Sequence, residues 1–262
     1  MIRRAASRWR RFAIEHFARH ETRLSSSVPY VSFTFDDFPR TALTAGGQIL
    51  RDHGLRGTYF VSFQLLDTDS PSGRVASLDD LTSLIGDGHE LGCHTFHHVD
   101  GSVVSAGEFE RSIEANRSAL ATSGLPTQFE TFAYPLNGPA VPTKKVAAAR
   151  FLACRGGGQT FNHDRVDLGL LKAFFLDVRS RRMADIESVI ERNAAANGWL
   201  IFATHDVDRS PSDYGCESRD FEAIVRCASA SGARVLPMID VYRELGLPER
   251  RLNAASSASR IQ

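Results

Sequence analysis

The sequence predicts a single α/β domain built on a parallel sheet or barrel, and three observations carry that expectation. Short β-branched and aromatic runs alternate with segments of helical periodicity from about residue 30 to 240. With 262 residues and 42% hydrophobic content, the chain can bury one substantial core. No tandem repeat or internal linker divides it. Right-handed crossovers then return every strand in the same direction, which gathers the strands' carboxyl ends on one rim.

The elements follow in order. The first strand, 31–35, rests on the alternation of Val31 and Phe33 and runs into Thr34-Phe35-Asp36-Asp37. A helix over 41–53 leads to strand 57–62. Ser77 caps helix 78–86 before strand 89–93, and Ser105 caps helix 105–123 before strand 131–134. Helix 143–150, strands 151–154 and 171–176, helix 183–196, strand 199–204, helix 218–231 and strand 233–236 complete the alternation. We divide the chain into a basic amino-terminal helix or extension (1–27), the domain proper (28–247) and a Ser-, Ala- and Arg-rich flexible tail (248–262).

Charge and composition exclude some functions. The 31 basic and 31 acidic side chains cancel, which argues against a nucleic-acid-binding protein with a broadly basic face. No stretch approaches the roughly 18 apolar residues of a membrane span. The local exception lies before Ser25, where seven Arg face two Glu while Trp9, Phe12, Ala13 and Phe17 fall at helical spacing. This predicts an amphipathic helix, which we expect to pack on the domain; a peripheral membrane contact is the second use for such a face. Lacking the continuous apolar core of a secretory signal, the segment is expected to be retained and the protein to be cytoplasmic. Cys93, Cys154, Cys216 and Cys227 form no C-x-x-C pair and are expected to be reduced thiols.

Chemistry concentrates at three strand ends. The adjacent acids Asp36 and Asp37 repel each other unless a cation or a shared proton compensates, so they read as a metal or acid/base site, with an exposed turn before Phe38-Pro39 as the competing reading. His94, His97 and His98 end another apolar stretch. Neutral imidazoles with one carboxylate make a three-ligand set that leaves room for water, and spacing alone leaves His97 as an alternative ligand. His205 closes the apolar run 199–203, again at a carboxyl end, where barrels gather their active groups.

Together these segments resemble the polysaccharide deacetylase family with its NodB-type catalytic domain, a group of carbohydrate esterases. The likeness rests on Thr34-Phe35-Asp36-Asp37, on His94-Thr95-Phe96-His97-His98, on Phe132-Ala133-Tyr134-Pro135-Leu136-Asn137-Gly138 and on Thr204-His205, in the family's order. It implies a distorted (β/α) barrel of about seven parallel strands. It assigns Asp37, His94 and His98 to a divalent metal, zinc first, with cobalt or nickel able to substitute. It makes Asp36 the base, the Leu136 backbone N–H an oxyanion donor, and His205 the acid that protonates the leaving amine. Thr95 would hold the histidine loop by a hydrogen bond.

Two positions depart from the pattern. Ala133 stands where relatives carry an arginine that pairs with the base, and Arg155, after predicted strand 151–154, is a candidate replacement. Asp177-Val178-Arg179-Ser180-Arg181 keeps only the first acid of an Asp-x-x-Asp-Trp pattern, which leaves Asp177 and Asp206 as candidate partners of His205. The expected function is a metal-dependent hydrolase that removes N-acetyl groups from amino sugars of an oligosaccharide or polysaccharide. Hydrolysis of an O-acetyl ester or a non-sugar amide, and non-catalytic carbohydrate binding, are the alternatives.

Overall fold

A computed structural model describes residues 9, 12–177 and 183–248. The expected tail beyond 248 and the departures at Ser180 and Arg181 lie outside the described residues. Eight strands form the main sheet: β1 (Tyr30–Phe35), β2 (Thr58–Val61), β3 (Glu90–Cys93), β4 (Thr131–Ala133), β5 (Ala153–Arg155), β6 (Phe174–Phe175), β7 (Trp199–Thr204) and β8 (Arg234–Val235). Seven of them run in the order β6-β7-β1-β2-β3-β4-β5, every pairing parallel.

The ring closes through the segment leading into β6. Leu171 bridges Arg155 in parallel, the Leu171 N–H donates to the Cys154 carbonyl at 2.7 Å, and the Leu176 N–H donates to the Ala203 carbonyl at 2.8 Å. This is the distorted (β/α) barrel of about seven strands that was expected. β8 wedges against the amino half of β1, pairing at Tyr30 and Val31, while β2 pairs with its carboxyl half at Thr34 and Phe35.

Period-two alternation sorts the side chains. Val31, Phe33 and Phe35 of β1 face outward into a core shared with Tyr59, Leu91, Phe132 and Phe202. Tyr30, Phe60, Ala133, Ala153, Phe175, Trp199 and Ile201 pack in the other direction, into the barrel. The Trp199 Nε1–H is satisfied inside by Ser32 Oγ at 3.0 Å. Gly92 also matters for packing, since a Cβ there would lie 2.5 Å from the Phe60 ring.

The outer helices largely follow the predicted spans. α1 begins as a wide π turn, Ala42–Gly47, and continues as Gln48–Asp52; α2 is Leu78–Gly86, α3 Ala106–Thr122, α4 Val141–Ala148, α5 Met183–Ala195 and α6 Ser218–Ala230. Ser77 forms a capping box with Asp80, and Ser105 Oγ accepts from the Glu108 N–H at 3.2 Å. A last helix, α7 (Met238–Glu244), was not anticipated; its first N–H groups are taken up by Thr58 Oγ1 and Glu90 Oε2. Predicted strand 171–176 shrinks to two residues because Leu171 bonds β5 while Leu176 bonds β7, so the segment crosses between neighbours.

The amino-terminal segment corrects one expectation. Residues 12–16 are helical, but Trp9, Phe12 and Phe17 are 65%, 45% and 51% exposed, so the aromatic face does not pack inward. Its backbone is what docks. The buried Lys144 ammonium, paired with Asp167 at 2.6 Å, donates to the carbonyls of Ile14 and Phe17, and Glu21–Arg23 pairs antiparallel with Arg165–Asp167. No disulfide joins the four cysteines. Among the described residues no helix is long and apolar enough to cross a membrane.

Candidate active site

The alternation that fills the barrel also aims the chemistry. Continuing β1 inward places Asp36 inside the rim, and the same parity carries β3 to His94 and β7 to His205. Asp37 falls just past the strand in a left-handed conformation, φ 58°, which swings its carboxylate across the mouth. Phe38, Thr95, His98 and Leu136 share that uncommon region, so backbone strain clusters around this rim.

Asp37 is surrounded by imidazoles. Its Oδ1 lies 3.0 Å from His98 Nε2 and 3.4 Å from His94 Nε2, and its Oδ2 lies 3.8 Å from His205 Nε2. The buried Oδ1 nevertheless makes no hydrogen bond. His94 Nδ1 donates to the Ala133 carbonyl at 2.8 Å, which leaves the Nε2 lone pair facing Asp37. One carboxylate and two imidazoles whose ligand atoms lie within 4.8 Å, around an orphaned oxygen, suit a divalent cation.

Electrostatics agree with that donor set. Burial holds His94 down to about 4, so it presents a neutral imidazole. For Asp37, burial works upward but is outweighed by His98, His94 and His205, leaving the carboxyl well below the usual range. Burial likewise opposes charge on His98, and Asp37 beside it raises its pKa instead.

His97, the alternative that spacing left open, stands apart from this cluster. The chain turns it onto α3, where its backbone N–H and Nδ1 meet Ser112 Oγ at 3.1 and 3.2 Å. Thr95 Oγ1 closes the histidine loop on itself by accepting from the Val99 N–H at 3.1 Å, and α3 holds the loop's start through Asn116, whose Nδ2 donates to the Val61 carbonyl and approaches Cys93 Sγ.

The missing arginine reappears one strand away. Arg155 is fully buried, and its Nη2 makes an ion pair with Asp36 Oδ1. β5 runs one residue further than predicted, so Arg155 is in the strand as the register partner of Ala133. The guanidinium's remaining surface lies against the faces of Phe60 and Phe175, at 5.1 and 5.7 Å, and its Nε and Nη1 make no hydrogen bond.

His205 also differs from expectation. Its Nδ1 donates to the Tyr214 carbonyl at 3.3 Å while its Nε2 faces Asp37, so both ring nitrogens are accounted for without Asp206. Asp206 instead accepts from the Ser212 N–H and hydroxyl at 2.7 and 2.5 Å. Asp177 lines a shallow cavity with Met183, Cys216 and Glu217. Leu136 sits after β4 in a turn with φ 54° and its side chain exposed. Sequence reasoning missed Tyr214's role because a main-chain carbonyl carries no residue signature.

A curled parallel barrel with an Asp-His-His cluster at its carboxyl rim defines the class of protein. Residues 24–152 match the family model for polysaccharide deacetylase, and the chain carries a polysaccharide deacetylase domain of the NodB type. Among solved structures it is similar to a family 4 acetyl xylan esterase from Clostridium thermocellum in complex with a cobalt ion, at 20% identity and TM-score 0.60, covering 84% of this chain and 93% of that one. A family 4 carbohydrate esterase from Bacillus subtilis matches at 13% identity and TM-score 0.58, covering 89% and 88%. A family 4 pseudoenzyme from Bacillus anthracis matches at 11% and 0.59, covering 82% and 66%. No curated protein matches the sequence significantly.

Proposed function

We propose that this protein is a metal-dependent hydrolase that removes N-acetyl groups from amino sugars of an oligosaccharide or polysaccharide. The observation that carries the reading is the orphaned Asp37 Oδ1 held between His94 and His98, directly beside an Asp36 whose partner is Arg155. Asp37, His94 and His98 would hold a divalent cation, zinc in our proposal, which would supply positive charge to polarise the acetyl carbonyl and acidify a water. Asp36 accepts the proton of that water during attack, with Arg155 fixing its carboxylate. The Leu136 N–H donates to the oxygen that gains charge. His205 gives the leaving nitrogen a proton, because an amine leaves poorly as an anion.

Hydrolysis of O-acetyl esters is the second reading, favoured by the likeness to an acetyl xylan esterase. A cytoplasmic setting, if fractionation bears it out, would suit a soluble oligosaccharide or precursor. The test is acetate release from a panel of N-acetylated and O-acetylated oligosaccharides by zinc- or cobalt-loaded protein, with Asp36→Asn as the blank. Release from the amides, abolished in the blank, supports the proposal. Release from esters alone moves the protein to the second reading, and glycan binding without any release makes it a non-catalytic carbohydrate-binding protein.

A further inference from the structure

The loop after β7 is a built object. Asp206 is buried at its base with both carboxylate oxygens on Ser212, and Ser212 Oγ in turn accepts from the Tyr214 N–H at 3.2 Å. The Cys216 N–H returns to the Asp206 carbonyl at 2.9 Å, and Val207–Asp208 pairs in parallel with Cys216–Glu217. Gly215 is packed so closely that a Cβ would be driven into the Asp206 carboxylate. The product of this bracing is the position of one carbonyl, that of Tyr214, which accepts from His205 Nδ1 at 3.3 Å and from the His205 N–H at 3.4 Å.

We infer that the Asp206-Ser212 brace is a positioning device for His205: it holds the Tyr214 carbonyl so that the imidazole carries a proton on Nδ1 and works through Nε2. The inference rests on the deacetylase reading for the purpose of the step, though not for the geometry. Doubly protonated His205 gives its Nε2 proton to the leaving nitrogen as the acyl C–N bond breaks. The ring is left neutral, with Nδ1–H still on Tyr214. A neutral carbonyl orients the ring as a carboxylate would, and the Tyr214 ring lies against it with centroids 5.5 Å apart.

The experiment compares an N-acetylated oligosaccharide with 4-nitrophenyl acetate, whose phenolate leaves without protonation. Asp206→Ala and the milder Ser212→Ala are expected to lower kcat on the amide by about 10-fold or more, with little change in KM and less than about 3-fold loss on the activated ester. Asp206→Asn, which keeps an acceptor for Ser212, should recover most of the amide activity. Equal losses on both substrates, or none in either brace variant, would overturn the inference. Nitrogen NMR of the His205 ring provides an arm independent of turnover: the neutral form is expected as the Nδ1–H tautomer in the wild type and as a mixture in Ser212→Ala. An Nε2–H tautomer in the wild type contradicts the inference. A wild type that leaves the amide intact counts against the deacetylase reading alone, and the NMR result still decides the brace.

Discussion

At the residue scale the most informative substitution is one already present in the chain, alanine at 133. Ala133 and Arg155 face each other across β4 and β5, both inward, so carrying the arginine on 155 displaces its Cα by roughly one strand spacing, about 4.8 Å. A methyl group at 133 leaves the space that the guanidinium crosses to reach Asp36. Arg155→Ala would strand a buried carboxylate, with an expected stability loss of about 3–5 kcal/mol and a fall in kcat/KM of at least about 100-fold. Adding Ala133→Arg to that variant should restore part of both, read by denaturant unfolding and acetate release. No recovery would mean that strand position matters more than charge. The sequence showed the vacancy at 133 plainly. It also offered Arg155 as a candidate replacement, but an arginine before three glycines equally has the composition of a surface turn until strand register places it inside.

At the scale of elements, β3 runs from a buried acid, Glu90, to His94 of the Asp-His-His cluster just past its end. Its first residue, Glu90, accepts from Thr58 Oγ1, Thr131 Oγ1 and the Ile239 N–H, tying β2, β4 and α7 together at the amino end of the barrel. Burial pushes its carboxyl up to about 7 despite those three donors. The folded state thus keeps this proton at pH values where the unfolded chain, with an ordinary Glu near 4.5, has released it. The native state then binds more protons between about 4.5 and 7, and the group's contribution to stability falls as pH rises through that window, by on the order of 2–3 kcal/mol. Glu90→Gln removes the dependence, so the stability difference between variant and wild type should move in the variant's favour from pH 5 to 8. A constant difference across that range would contradict the account.

The elements themselves were largely legible. Strand 199–204 and helix 78–86 were predicted residue for residue, because the apolar run 199–203 and a serine cap at 77 are local signals. Helix α7 and the crossing segment 171–176 were not, since both are defined by bonds to distant strands. His97 illustrates the same limit: spacing made it equivalent to its neighbours, and only α3, through Ser112, turns it away.

Across the whole molecule, one period-two pattern does two tasks. It fills the barrel with Phe60, Phe175 and Trp199, and at the rim it delivers Asp36, His94 and His205 to a common space. Four family motifs in order made that convergence foreseeable from sequence, while the support for Asp36 and His205, a displaced arginine and a backbone carbonyl, depends on the fold. The central claim is that Asp37, His94 and His98 form a single cation site beside Asp36. Calorimetric titration of metal-free protein with zinc tests it most directly. The account predicts one ion per chain, binding weakened at least about 100-fold in His94→Ala and His98→Ala, and binding unchanged in His97→Ala. No zinc uptake, or uptake indifferent to His94 and His98, would contradict it.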